Sequence, residues 1–424
     1  MNSTSSGLLS SEGQERRGFL INPDKVVISA VVLFYFSNYI LSSYFPINIA
    51  PILIGLPIYL IFFLTRDRFI DESCFSPWFF LCSFSVLGIT YLIAEKGSAA
   101  LVSMEMFFLF SLPILFAAVM RAFSFNFVPF LSKSFLIFLL WQLFVVLGQI
   151  SDKLIGVGLG LPSLDSELPF SHYSDMLSGT FYNANDLAAT CGMIFLFFMI
   201  YRPFAVKISN FAICICFILA LATLSRFVIV FMFFSFFGFL LIKSFFKAAA
   251  GFLLISVVFL VLFFYAQEYF YNYQFVARIV ERIETIFIIF SGGFSSDYSL
   301  SVRLFSYIQF FYNIDNLGLG SMTFKDYSLF FGDLEQKYQL MTINPHSFVA
   351  EVGYWLGWAG LVTFGLFIIF LNPKNYILFF YCLLSFFLLT MVSSSVFGNF
   401  MIFVAFFSVL GLLVFPESRI SKSF

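Results

Sequence analysis

Long apolar runs separated by short polar turns make up most of the chain. A helix that crosses a bilayer needs about 20 mainly apolar residues, with a range of roughly 17–25. On this criterion the pattern predicts about twelve membrane-spanning helices. Their predicted bounds are 26–45, 47–64, 75–94, 98–120, 132–150, 186–201, 208–224, 227–242, 249–266, 347–371, 376–392 and 399–415. The least clear division lies between the seventh and eighth of these helices, because only the turn 223–226 separates them.

Composition supports a membrane protein. The 424 residues are 61% hydrophobic and only 11% charged, with a mean hydropathy of +0.98. A soluble domain carries about 25% charged residues, so most of this surface must face lipid. The predicted fold class is therefore an all-α polytopic membrane protein, with 1–25 as a cytoplasmic N-terminal tail and 26–424 as a single transmembrane domain. The net charge of −1 gives no reason to expect a nucleic-acid partner.

The distribution of Lys and Arg predicts the orientation. If the N-terminus is inside, the inner loops contain most of the basic residues, whereas the short outer loops contain only Lys96 and Arg226. Short cytoplasmic loops are enriched in Lys and Arg, so the pattern favours both termini inside. Two long segments, 151–185 and 267–346, are then outer loops.

Neither a metal site nor a cofactor is predicted. The six Cys residues all lie in or beside apolar runs, where Cys acts as a small apolar side chain. Cys214 and Cys216 are too close along one helix to form a paired metal motif, and they point in different directions. With only His172 and His346, a histidine-rich metal centre is not expected either.

The outer segment 267–346 is the longest polar interruption of the chain. It opens with an amphipathic helix, 275–290, whose polar face contains Arg278 and Arg282; this face is either solvated or binds an anion. Arg303 lies in an aromatic stretch, where a cation needs an anionic partner. His346 lies where the chain is predicted to re-enter the membrane. It is a candidate general base or hydrogen-bond donor, and the alternative is a helix cap.

Two further polar groups lie at outer turns. Segment 151–185 ends in a polar run in which Asn185 or Asp186 is the candidate cap of the next helix. Asn183 and Asn185 also offer donors and acceptors to a hydroxyl-rich ligand. Arg226 lies at the outer mouth of two spans, where it either reaches lipid headgroups or holds a phosphate through its forked donors.

Four short motifs, in order over about 178–360, resemble the O-antigen polymerase (Wzy-type) and O-antigen ligase superfamily. Residues 179–185 are similar to its G-x-x-x-N-x-N element, and 223–226 to its T-x-S-R turn. Residues 301–320 are similar to its R-x-aromatic helix and G-x-G turn. Residues 346–360 resemble its H-[NS]…E-x-G…G…G re-entry.

The resemblance implies a membrane-embedded glycosyltransferase with a GT-C-like fold in the bacterial inner membrane. Such enzymes take an undecaprenyl-diphosphate-linked oligosaccharide as donor on the periplasmic face, without a metal. By motif, Arg226 and Arg303 hold the diphosphate and stabilise it as a leaving group. His346 orients or deprotonates the acceptor hydroxyl. The remaining residues expected to bind substrate are Asn183, Asn185, Arg278 and Arg282.

Members of this superfamily have two main activities. A polymerase joins lipid-linked repeat units to one another in O-antigen, capsule or exopolysaccharide synthesis, with a chain-length regulator as an expected partner. A ligase transfers the finished glycan to a lipid A core or a protein. Ser347 stands where many ligases have Asn, which favours the polymerase.

Two functions without glycosyl transfer compete with this interpretation. The first is a transporter of lipid-linked oligosaccharides, which needs more polar residues within the spans than Glu105, Lys133 and Gln142. The second is a non-catalytic assembly protein, in which the arginines and His346 could be replaced without loss of function.

Overall fold

The fold is known from a computed structural model of the full chain. It describes 85–94, 100, 103, 106, 127–155, 177–181, 183–202, 206–243, 307, 310–311, 314–318, 320, 347–371, 373, 375–393 and 399–414. Throughout these ranges the regular elements are helices, and none of the described residues is in a strand. The predicted all-α class is confirmed for this part of the chain.

Seven α-helices form the described bundle. They are α1 Phe127–Ile155, α2 Ala184–Tyr201, α3 Val206–Ala222, α4 Arg226–Lys243, α5 Phe348–Phe370, α6 Tyr376–Thr390 and α7 Phe400–Val414. A single 3-10 turn, Ile314–Asn316, precedes the turn at 317–320. Residues 85–93 are also helical.

Three of the described helices are long and apolar enough to cross a membrane. Their candidate spans are Leu131–Ser151, Ala184–Tyr201 and Phe348–Ile369. The other four contain shorter apolar stretches: Val206–Ala222, Arg226–Phe239, Tyr376–Thr390 and Met401–Leu410. A helix in lipid satisfies its own backbone hydrogen bonds, so an apolar run of this length is stable there only as a helix. The chain is therefore a membrane-embedded helical protein.

The described helices coincide with predicted spans, with small differences at their ends. The division of 208–224 from 227–242 is confirmed, because α3 ends at Ala222 and α4 begins at Arg226. Both boundaries of the span 132–150 were wrong by five residues, because α1 begins at Phe127 and continues to Ile155. The first residues of the predicted outer loop 151–185 are therefore helical. Residues 149–155 contain no glycine or proline, and Gly156 follows them, which explains the extra turn.

Helix α2 is the centre of the bundle. Every residue in it except Asn185 is buried, so this helix contacts other helices rather than lipid. Gly192 lets two neighbours approach closely: a Cβ built there would lie 2.6 Å from Leu389 of α6 and 3.4 Å from Val228 of α4. Small residues serve the same purpose in membrane helix pairs generally.

Side-chain contacts show which helix ends lie together. Near the start of α2, Ser393 beyond α6 and Asn399 before α7 bond to Asp186. At its other end, the Tyr201 hydroxyl donates to the carbonyl of Val409 in α7 at 3.5 Å. One end of the bundle therefore brings together the starts of α2 and α7 with the end of α6. Val228 beside Gly192 adds the start of α4, and with it the end of α3, and the ring of Phe348 against Phe386 adds the start of α5. We call this end of the bundle the polar end.

Helix α5 is broken at Gly357. This glycine has φ 61° and ψ −158°, a conformation that side chains exclude. Groups from elsewhere in the chain replace the lost helical hydrogen bonds: the Tyr91 hydroxyl donates to the carbonyl of Leu356 at 2.6 Å, and the amide of Trp358 donates to the carbonyl of Gly318 at 3.1 Å. The sequence predicted one unbroken span at 347–371, and this break was missed.

Candidate functional site

Two glutamines of α1 hold the loop that leads into α2. Gln149 donates from Nε2 to the carbonyl of Gly179 at 2.9 Å and accepts from its amide at 3.0 Å. Gln142 donates to the Thr180 hydroxyl at 2.6 Å and accepts from the Thr180 amide at 3.0 Å. Each side-chain amide thus makes two hydrogen bonds to one residue of the loop. We call this arrangement the glutamine clamp.

The clamp requires a glycine at its centre. Gly179 has φ +62°, in the left-handed region that side chains rarely adopt. A Cβ built on it would also overlap Oε1 of Gln142. Both glutamines are buried, so they satisfy backbone groups that water cannot reach. The loop 178–180 is therefore held rigidly beside α1.

Asn183 is the N-cap of α2. Its Oδ1 accepts from the amide of Asn185 at 2.8 Å, and its backbone is extended. The sequence pattern predicted the cap at Asn185 or Asp186, which was wrong by two or three residues. The helix begins earlier because the amides of Asp186 and Leu187 already donate to the Asn183 carbonyl.

Asp186 lies within a buried polar network at the start of α2. It is 7% exposed, and its carboxylate accepts from the Ser393 hydroxyl at 2.6 Å. Asn399 donates to the Asp186 carbonyl at 2.9 Å and accepts from the Thr190 hydroxyl at 3.0 Å. These bonds tie both described ends of the connection between α6 and α7 to one turn of α2.

The turn before Arg226 is tight and strained. Leu224 has φ 55°, and it is the one non-glycine residue with positive φ in the described ranges. This conformation is unfavourable for an L-residue by about 1–2 kcal/mol. Thr223 and Ser225 on either side are buried, and the Thr223 hydroxyl donates to the Ala220 carbonyl at 2.8 Å. Such strain concentrates at functional sites. Here it fixes where the partly buried Arg226 begins α4.

The last predicted motif brings the chain back into the bundle at Ser347. This buried serine caps α5, and its hydroxyl accepts from the amide of Ala350 at 3.4 Å. Glu351, in the first turn, is only 2% exposed. Phe348 packs against Phe386 and Phe403, with ring centroids 5.2 and 5.7 Å apart, which places this re-entry at the polar end.

The G-x-G turn of the third motif packs against the glycines of the fourth. A Cβ on Gly320 would overlap the backbone amide of Gly357 and lie 2.6 Å from the Trp355 carbonyl. A Cβ on Gly353 would lie 2.7 Å from the ring of Phe310. Gly320 allows two backbone segments to approach closely, and Gly353 leaves room for the ring of Phe310. Two stretches that the sequence identified separately thus form one junction.

Three of the predicted site residues belong to the described part of the chain. Asn183, Asn185 and Arg226 lie at the polar end, each partly buried and each held by its own turn. The other four, Arg278, Arg282, Arg303 and His346, lie outside the described residues.

The glutamine clamp and the Asp186 network were not predicted from the sequence. Gln142 and Gln149 are seven residues apart, a spacing that puts both on one face of a helix, and this was the available signal. Gln142 was one of the few polar residues within the predicted spans that the competing transporter hypothesis could use, and in the structure its side chain makes two bonds to Thr180. No sequence pattern pointed to Asn399, whose partners lie about two hundred residues away.

No protein-family model, curated protein or solved structure matches the chain. Its function is therefore inferred from its own residues and their geometry.

Proposed function

We propose that the chain is a glycosyltransferase that polymerises lipid-linked oligosaccharide repeat units. The proposal rests on one observation: three motifs that are distant in sequence lie at the same end of the bundle. The loop at 178–185, the turn at 223–226 and the re-entry at Ser347 are far apart in sequence, and all three lie at the polar end of one bundle. Asn183 and Ser347 cap their helices there, while the partly buried Arg226 and Asn185 make no helix cap, and these two residues support a site at this end.

The proposed reaction needs charge stabilisation more than acid or base strength. The bond between the anomeric carbon and the diphosphate oxygen of the donor breaks, and a glycosidic bond to an acceptor hydroxyl forms. Arg226, with Arg303, takes up the negative charge of the undecaprenyl diphosphate that leaves. His346, which directly precedes the capping Ser347, accepts the hydroxyl proton.

The asparagines are proposed to position the sugars. Capping of α2 uses Oδ1 of Asn183, and the NH2 group of the same side chain is a donor for a sugar hydroxyl. Asn185 is the one residue of α2 that is not buried, so it is accessible from the polar end. The clamp holds the preceding loop rigidly, and a rigid support keeps such groups in position for a transfer reaction.

The same proposal includes the finer topology. About twelve spans with both termini inside place the polar end on the periplasmic face of a bacterial inner membrane. The predicted outer loop 267–346, with Arg278 and Arg282, is the working segment in this proposal. Polymerisation there precedes export of the glycan, and a separate membrane protein sets the chain length.

The proposal is tested by complementation. A bacterial strain that lacks the chromosomal copy receives the wild-type gene or a variant with Arg226→Ala, Arg303→Ala or His346→Ala, and its surface polysaccharide is separated on a gel. We expect the wild type to give a ladder of long chains. Each variant should give single repeat units, because loss of a charge-stabilising or proton-accepting group lowers transfer by orders of magnitude.

A matched control separates chemistry from folding. Lys133→Ala removes a cation from an exposed position of α1 and should leave the ladder unchanged, at equal membrane abundance. Long chains that stay attached to undecaprenyl diphosphate in the deletion strain would instead indicate a ligase. Normal ladders from all three site variants would contradict a glycosyltransferase with this site.

A further inference from the structure

A cavity at the opposite end of the bundle has no role in the proposed reaction. It lies between α3 and α4, beside the end of α2, and has a volume of about 390 Å³. Ligand sites in proteins measure about 300–1,000 Å³, so the cavity can hold a small ligand or part of a lipid chain. Three phenylalanines of α4, Phe233, Phe236 and Phe237, form one wall.

The cavity is polar at one end and apolar along its length. Arg202, which directly follows α2, and Asn210, one turn into α3, lie at the end of the bundle away from the polar end. Cys214 and Phe217 follow on α3 towards the membrane interior. At 1.5 Å per residue, Asn210 and Phe217 are about 10 Å apart along the helix. A ligand with a charged headgroup beside Arg202 and Asn210, and an apolar tail of about 10 Å along α3, would fit this arrangement.

The charges around the cavity determine which kind of headgroup a ligand needs. Within the described ranges, no hydrogen bond or ion pair holds the side chain of Arg202, and the residues that line the cavity include no carboxylate. Lys207, exposed on the first turn of α3, adds a second cation at this end. With no carboxylate among the lining residues, the guanidinium of Arg202 keeps its donors for an anion that enters the cavity. The fork of Arg202 suits two oxygens of one phosphate.

The cavity lies beside an exposed apolar surface, and one of its lining residues, Cys214, is itself exposed. Phe211 and Ile218 of α3 and Phe234 of α4 are about half or more exposed (53%, 50% and 66%), and Cys214 is exposed beside them. Apolar side chains on a membrane helix that do not contact protein contact acyl chains. We propose that the cavity is a binding site for one anionic phospholipid, with its phosphate on Arg202 and one acyl chain along Phe233 and Phe236.

The site is tested by native mass spectrometry of the purified full chain in detergent. Equal amounts of phosphatidylglycerol and phosphatidylcholine are added, and the bound lipid is identified by mass. We expect one phosphatidylglycerol per chain, retained about tenfold better than phosphatidylcholine. Both lipids carry a phosphate, but phosphatidylcholine also carries a choline cation, which Arg202 and Lys207 repel. Equal retention of the two lipids would overturn the proposal without any variant.

Two variants localise the lipid. Arg202→Gln should reduce the preference for phosphatidylglycerol to that of an uncharged site, and Cys214→Trp, which fills the cavity, should remove the bound lipid. Lys133→Ala, a cation on an exposed position of α1 away from the cavity, should bind as the wild type does. Unchanged lipid retention by Arg202→Gln or by Cys214→Trp would each contradict the site.

The thiol of Cys214 gives an independent measurement on a folded protein. Cys191, Cys216 and Cys382 are buried, and Cys74 and Cys82 are replaced by alanine, so a maleimide reports on Cys214. Phosphatidylglycerol should slow its labelling several-fold, and phosphatidylcholine at the same concentration should not. Labelling that is independent of the headgroup would overturn the proposal.

Discussion

Replacement of Gly179 by alanine should destabilise the protein through one identifiable contact. Gly179 lies at the centre of the glutamine clamp with φ +62°. An added Cβ would overlap Oε1 of Gln142, the atom that accepts from the Thr180 amide at 3.0 Å. Gln142 must then move, and its second bond, to the Thr180 hydroxyl at 2.6 Å, is lost with the first.

The magnitude follows from two terms. Alanine in the left-handed region is unfavourable by about 1–2 kcal/mol. The displaced amide of Gln142 leaves buried groups without partners, and each such group contributes about 1–3 kcal/mol of destabilisation. With two such groups the sum is a loss of about 3–8 kcal/mol. Alanine also restricts the unfolded chain, which offsets about 0.4–1 kcal/mol, so the free energy of unfolding should fall by about 2–7 kcal/mol.

The assay is an SDS titration of the protein in mixed micelles, followed by tryptophan fluorescence. Gly238→Ala is the matched control, because a Cβ on Gly238 of α4 meets no heavy atom of the described residues within 4 Å. This change should be neutral or stabilise by up to about 1 kcal/mol. Gly179→Ala should also be measured in a Gln142→Ala background, where the overlapping atom is absent.

The test is whether the destabilisation caused by Gly179→Ala depends on the side chain at position 142. In the Gln142→Ala background, the cost of Gly179→Ala should fall to about 1 kcal/mol, the backbone term alone. If Gly179→Ala costs the same in both backgrounds, the overlap with Gln142 is not the cause. If the Gly179→Ala variant unfolds at the same SDS midpoint as the wild type, the glutamine clamp does not stabilise the protein.

Three further predictions concern other described contacts. Gly320→Ala should lower the free energy of unfolding by about 2–4 kcal/mol, because its Cβ meets the backbone of α5, which cannot rotate away; an unchanged SDS midpoint would contradict this packing. Asn399→Ala should cost about 2–4 kcal/mol, since it removes bonds to Asp186 and Thr190, and a loss below about 1 kcal/mol would show that the network adds little. Arg226→Lys should keep the fold but reduce polymer formation about 10–100-fold through loss of the forked contact, and full activity with lysine would show that a point charge is enough.

The helices could be predicted from the sequence because lipid imposes one solution on a long apolar run. The predicted span 376–392 and the helix Tyr376–Thr390 differ only at the C-terminal end, and 186–201 differs from Ala184–Tyr201 by two residues. The split at 223–226 was also visible, since a single arginine among apolar residues marks a turn near the surface. The predicted difference in direction between Cys214 and Cys216 is confirmed: the first is exposed and the second buried.

Features that depend on distant partners could not be predicted. The break at Gly357 lies in a run that stays apolar on both sides, and other glycines of α5, such as Gly365, remain helical. Only the approach of Gly320 and Tyr91 explains why the helix breaks at this glycine. The glutamine clamp likewise depends on the loop 178–180, which follows Gln142 by more than 30 residues in the sequence. A helix can be predicted from neighbouring residues in the sequence, whereas these contacts form only when distant helices pack together.

The most direct test of the proposed function is a reconstituted reaction. The purified protein is placed in lipid vesicles with an undecaprenyl-diphosphate-linked repeat unit, and both glycan length and released undecaprenyl diphosphate are measured. We expect chains of several units with one lipid diphosphate released for each bond formed, abolished by Arg226→Ala and retained by Lys133→Ala. Vesicles in which the substrate crosses the membrane but never lengthens would contradict the proposed polymerase.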